Sequence, residues 1–213
     1  MAQTLSNLRY WTQYLVGDPQ MTTYSTTMYK DAVNFAIKEY AHKTGVTYVE
    51  TSPAITVDAN GFATIPTGYM RVNRVIYGGV EMVESDFKFE AQRSATWQTD
   101  TATAPKRWVL WSGAKIKLTP IVATWPGTCV IGYTEAPTAL SADSDTVDPR
   151  IPDAHNEYLK YAAASWLLNL DGDGQSLQQA AMFMNQFNSL IGYSDPVLVT
   201  KLAQMRKEGK LEV

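Results

Sequence analysis

Histidine and cysteine are scarce in this chain: two histidines, His42 and His155, and one cysteine, Cys129, among 213 residues. A single cysteine excludes an intrachain disulfide and fits a reducing compartment. One cysteine and two distant histidines cannot build a closed zinc site, and His155-Asn156-Glu157 lacks a second histidine at helical spacing. A nucleophilic triad needs a base beside a Ser or Cys and a third group to orient it. His42 falls near a helix end, where a protonated imidazole suits the dipole, and His155 falls in the first turn of a later helix. No Gly-x-Ser-x-Gly elbow, Gly-x-x-x-x-Gly-Lys-Ser/Thr loop or Gly-x-Gly-x-x-Gly turn occurs. The reading is against an enzyme, and no metal or cofactor is expected.

Positive charge is not in excess either. The 18 Lys and Arg stand against 21 Asp and Glu, a formal charge of −3, whereas non-specific nucleic-acid binding needs a dense basic surface. No apolar run approaches the roughly 18–20 residues that span a bilayer. Met1-Ala-Gln-Thr-Leu-Ser6 has neither the basic nor the apolar region of a signal peptide. The expectation is a soluble protein assembled in the cytoplasm, with no membrane partner. What the chain does have is apolar and aromatic: 45% hydrophobic and 11% aromatic residues, enough for one large domain or two small, interlocked ones.

The pattern starts as helix. Leu5, Leu8, Trp11, Thr12 and Leu15 recur at three- and four-residue steps until Gly17-Asp18-Pro19 stops them. A second helix is predicted from Ser25, with Met28, Ala32, Phe35 and Ala36 on one face and Gly45 as its C-terminal cap. From Val46 to Tyr133 the period changes to two. Ile55–Val57 and Phe62–Ile65 around Asn60-Gly61 read as one hairpin, and Arg71–Tyr77 and Val80–Met82 around Gly78-Gly79 as another. Trp108–Trp111 and Lys115–Leu118 read as a third, followed by a strand at Cys129–Tyr133. Helices resume at Pro152-Asp153, break at Asp171-Gly172-Asp173-Gly174 and continue from Leu177, an αα-hairpin. A last helix is predicted from Asp195 and Pro196.

The fold class read from this is α+β. An antiparallel helical bundle, discontinuous in sequence, carries an inserted small antiparallel β-barrel or sandwich and a C-terminal docking helix. Residues 1–45 form the first part of the helical layer and 46–150 the β insertion. Ser141–Asp148 serves that insertion as a solvated acidic tether. Residues 151–195 return to the helical layer, and 196–213 form the C-terminal helix and tail.

Three segments bear on function. Asn169, Asp171, Asp173 and Gly174 match the opening of an EF-hand loop, but its apolar eighth position is Ser176 and its bidentate twelfth is Ala180, so a helix cap and turn is the reading. Phe87 to Pro105 lacks a strand pattern, contains Trp97 and reads as a long loop, hence functional or mobile. Trp97, Trp108, Trp111 and Trp125 place four of the six tryptophans in the β insertion, as core or as stacking surfaces for sugar. After Pro196, Leu198, Leu202 and Met205 form an apolar stripe beside Lys201, Arg206, Lys207 and Lys210, suited to docking on a partner.

In order, these pieces resemble the head–tail adaptor (connector) proteins of short-tailed bacteriophages. The resemblance rests on Leu5-Ser6-Asn7-Leu8, Tyr24-Ser25, Ile65-Pro66, Trp97 and Ala104-Pro105-Lys106-Arg107-Trp108. It continues through Ile116-Lys117-Leu118-Thr119-Pro120, Gly132–Pro137, Ile151-Pro152, His155 and Tyr161-Ala162-Ala163-Ala164. It implies a virion protein of the neck: a homo-oligomeric ring of about twelve copies between the portal protein and the tail tube or nozzle, through which DNA passes without sequence-specific contact. Portal binding then falls on Leu198, Leu202, Met205, Arg206, Lys207 and Lys210. The face toward the nozzle falls on Gln92, Arg93, Trp97 and Gln98. The alternatives are a tail-completion or stopper protein, or a carbohydrate-binding tail module using exposed tryptophans.

Overall fold

The computed structural model describes residues 3–122 and 127–192. The elements begin with α1 (Leu5–Leu15), α2 (Thr26–Thr44), β1 (Tyr48–Glu50), β2 (Ile55–Thr56), β3 (Phe62–Thr64), β4 (Tyr69–Tyr77) and β5 (Val80–Ser85). They continue through α3 (Phe87–Arg93), β6 (Thr101–Ala102), β7 (Arg107–Ser112), β8 (Lys115–Thr119), β9 (Ile121–Val122) and β10 (Thr128–Glu135). The last are α4 (Asp153–Asn156), α5 (Leu159–Asp171) and α6 (Gly174–Leu190). They form two compact units, one of residues 3–46 with 137–192 and one of Thr47–Ala136. The C-terminal helix predicted from Asp195 lies outside the described residues.

In the helical unit the ends are set by local chemistry. The Thr4 hydroxyl accepts the Asn7 N–H and the Ser25 hydroxyl accepts the Met28 N–H, each closing an open helix start. Gly45 ends α2 in the left-handed region at φ 66°, where a side chain would be strained. Ala32, Ala36 and Ala41 of α2 and Ala162, Ala163 and Ala164 of α5 are all fully buried. Small residues at both surfaces let the two helices approach closely, and α5 also packs on α1 and α6. Leu5, Leu8, Tyr29, Ile37, Tyr40, Leu159, Leu167 and Phe187 fill the core between them.

The acidic stretch is solvated, with residues 141–144 and Thr146 exposed, but it is fixed to the helical unit rather than a tether of the β insertion. Leu140 and Val147 are buried in the helical core, and the Asn34 amide bonds both backbone groups of Leu140, at 3.0 and 2.8 Å. The N–H groups of Leu5 and Ser6, open donors at the start of α1, bond the carbonyls of Asp145 and Asp143. Two apolar anchors and the needs of a helix start outweigh the stretch's charge. The helix expected from Pro152-Asp153 is also divided, with a single turn of α4 preceding α5.

The β unit is a curled half-barrel sheet with strand order β1-β10-β4-β5-β7-β8-β3, and β2 also pairs with β10. Gly78 and Gly79, at φ 57° and 79°, make the two-residue turn that joins β4 to β5. Two expectations are corrected. The Asn60-Gly61 turn forms, with the Gly61 N–H on the Asp58 carbonyl at 2.9 Å, but β2 and β3 do not ladder with each other. Ile55 lies opposite Cys129 and Phe62 opposite Lys117. Nor is the sheet wholly antiparallel: β5 runs parallel to β7, because the long connection between them allows a crossover that a tight turn cannot. Val75, Met82, Trp108, Ile116, Leu118, Cys129 and Ile131 form this unit's core. Burial pushes the Cys129 thiol up to about 11.

Candidate functional site

The connection from β5 to β7 is where this fold departs most from a simple meander, and it is built rather than loose. The Asp86 carboxylate accepts the Phe89 N–H at 2.8 Å and starts α3. One turn on, the fully buried Glu90 side chain accepts from Ser85 Oγ at 2.7 Å, Arg107 Nε at 2.6 Å and Arg93 Nε at 3.0 Å. Burial alone would raise the Glu90 carboxyl; these bonds outweigh it and hold the group below its ordinary range. A buried carboxylate with both oxygens used cross-links β5, α3 and β7.

Trp97 closes the segment from the other end. It is 3% exposed, meets Phe87 edge-on at 5.7 Å and lies 6.0 Å from Trp111. Trp111 in turn touches Phe62, at 5.1 Å between ring centroids. Under these rings runs the buried Lys117 side chain, its Nζ 4.4 Å from the Phe62 centroid and donating to the Asn60 carbonyl at 2.7 Å. Burial draws the Lys117 ammonium below its ordinary value, against the opposing pull of Asp58. Ring faces and a carbonyl stand in for water around this cation.

Outside that anchor lies a groove of about 550 Å³ lined by Val83, Phe89, Lys106 and Arg107, with Glu84 and Asp86 beside them. Val83 and Phe89 remain 65% and 52% exposed. Apolar residues between charges of both signs suit an amphipathic protein segment rather than a small polar substrate.

The residues singled out from sequence separate on this geometry. Gln92, Arg93 and Gln98 are exposed on the segment, whereas Trp97 is its internal anchor. Trp97 and Trp108 are both buried and offer no sugar platform. Trp125 lies outside the described residues, as do Leu198, Leu202, Met205, Arg206, Lys207 and Lys210. The Asp173 carboxylate caps α6, accepting the N–H groups of Gln175 and Ser176 at 2.9 Å each, and Asp171 accepts the Tyr24 hydroxyl at 2.5 Å. His42 is exposed at the end of α2, while His155 Nδ1 lies 2.6 Å from the Tyr40 hydroxyl. Sequence reasoning missed α3 and the groove. The signal for α3 was Asp86, an N-cap residue set directly before Phe87-Lys88-Phe89-Glu90.

The family model described as SU10 adaptor protein matches residues 3–204. The chain belongs to that family. It is a phage structural adaptor, a component of the virion, and the match takes in both the helical and the β unit. A comparison with curated proteins returned no match. Among the described residues of this adaptor no helix is long and apolar enough to cross a membrane.

Proposed function

We propose that this phage adaptor forms a ring between the portal and the tail tube or nozzle and lets the genome pass through it. The carrying observation is the family match over residues 3–204, which spans both ends of the helical unit and the whole β unit. The physical properties agree. A ring subunit needs a rigid body with surfaces for its neighbours, and the formal charge of −3 suits a conduit that releases DNA rather than binding it. Leu198, Leu202 and Met205, with Arg206, Lys207 and Lys210, are assigned to the portal. Gln92, Arg93, Gln98 and the adjoining groove are assigned to the tail side, with Trp97 holding their segment in place.

Co-sedimentation with purified portal rings tests this reading. The full chain is expected to travel with the portal. A chain lacking Pro196–Val213 is expected to lose that binding while keeping its circular dichroism and melting temperature. Unchanged docking by the shortened chain would move the portal contact elsewhere. A full chain that binds only necks already carrying another adaptor would be a stopper or tail-completion protein instead.

A further inference from the structure

The portal and tail assignments leave one surface of the helical unit unused. α1 turns Leu5, Leu8 and Thr12 inward and leaves Tyr10, Trp11 and Tyr14 exposed by 50, 49 and 58%. The three rings are ordered on one another: Tyr10 meets Trp11 at 5.5 Å and Tyr14 at 4.8 Å, both edge-on. Lys160 of α5 extends the strip, its Nζ 5.3 Å from the centroids of both Trp11 and Tyr161. Three half-exposed aromatics leave on the order of 300 Å² of mainly apolar surface, the size of the largest patch on a typical monomer, which is often functional.

α6 supplies a second unusual surface. Its sequence from Gly174 to Leu190 contains no charged residue. Only Ala180 and Phe187 are buried in it, and Gln178, Met182, Asn185 and Gln186 are exposed. Charged residues are depleted in interface cores, where Tyr, Trp and Met are enriched.

We infer that the α1 strip of one copy docks on the outer face of α6 of the next. The inference rests on the ring reading and adds to it the contact between copies. The strip offers ring faces, hydroxyl donors and the Lys160 cation; the α6 face offers amide oxygens and the Met182 thioether. Amide oxygens can take over the hydration of Lys160 as water leaves, and a thioether packs well on aromatic rings. Two strips set face to face would instead bring two Lys160 charges into one contact with only tyrosine hydroxyls to accept from them. Because the two patches differ, the contact is heterologous, the kind that propagates from copy to copy and closes when the rotation permits.

Sedimentation velocity on the full chain and two variants tests the inference. Tyr14→Lys spoils the strip and Met182→Lys spoils the α6 face, each at an exposed position. Each variant alone is expected to associate at least about tenfold more weakly than the wild type. Their equal mixture keeps one good strip and one good α6 face, and is expected to give dimers and nothing larger. Beside this, the Tyr14→Cys/Met182→Cys chain is expected to form a ladder of oxidised oligomers, since its other cysteine, Cys129, is buried. Association of the wild type with a mixture that stays monomeric overturns the α1–α6 contact and leaves the ring reading intact. A wild type that stays monomeric, together with a cysteine pair that gives no ladder, also overturns it. Failure to bind portal while copies still associate strikes the ring reading instead.

Discussion

Asp18 holds the connection between α1 and α2 with a single carboxylate. It accepts the N–H groups of Thr22, Thr23 and Tyr24 at 2.7, 3.2 and 3.0 Å and the Tyr29 hydroxyl at 3.1 Å. Burial would raise its carboxyl, but the bonds prevail and bring it to about 2. The folded value lies below the unfolded one, so its contribution is complete above the ordinary carboxylate range. It is lost as pH falls from about 4 towards about 2. Asp18→Asn is expected to cost about 1–3 kcal/mol at neutral pH and to flatten that part of the acid-unfolding curve, followed by circular dichroism. An unchanged acid limb would remove Asp18 from this role. From sequence Asp18 was legible only as part of a helix stop, because the donors it serves come together only in the fold. Glu90 was equally hidden, since Ser85 and Arg93 are near in sequence but Arg107 reaches it across the sheet. Glu90→Ala takes from Arg107 its buried carboxylate and leaves Arg93 with only Asp100, at 3.8 Å, and is expected to lower unfolding stability by about 3 kcal/mol, read by urea denaturation. A loss too small to measure would mean the network is dispensable.

Among elements, those with strong local signals were readable and those that depend on distant partners were not. Leu5–Leu15 and Ser25–Gly45 show helical spacing with caps at hand, and α1 and α2 follow them. Gly78-Gly79 fixes the β4–β5 turn in the sequence itself. β2 and β3 misled because a genuine turn joins them while their ladders run to β10 and β8. Trp11 fitted the apolar spacing of α1 yet sits at the edge of its buried face. The segment after β5 read as a loop because a seven-residue helix shows barely two turns of period, and Trp97 orders it through rings that come from β3, α3 and β7. Trp97→Ala is therefore expected to cost about 3–5 kcal/mol. Amide exchange should rise across residues 86–105 more than elsewhere in the β unit. Uniform exchange would show that the segment does not depend on its anchor.

For the molecule as a whole, the sequence carried the switch of hydrophobic period near Val46, where the boundary between the two units falls. It did not carry which unit the acidic stretch folds with, because Leu140 and Val147 are isolated apolar residues in a polar run. Nor did it show the aromatic strip of α1 and the uncharged face of α6 together, since both are set only once α5 packs on the two helices: Lys160 on Trp11, and Tyr161 on Phe183 at 6.1 Å. Both observations concern surfaces and joints rather than a reacting centre, as befits a phage structural adaptor. In the function we propose, copies of this chain form a closed ring joining the portal to the tail. Electron cryomicroscopy of the neck of assembled particles tests it most directly. The expected result is a ring of density directly below the portal into which both the helical and the β unit fit once per subunit. Necks in which that position is empty of this chain, or holds it as a single copy, would contradict the account.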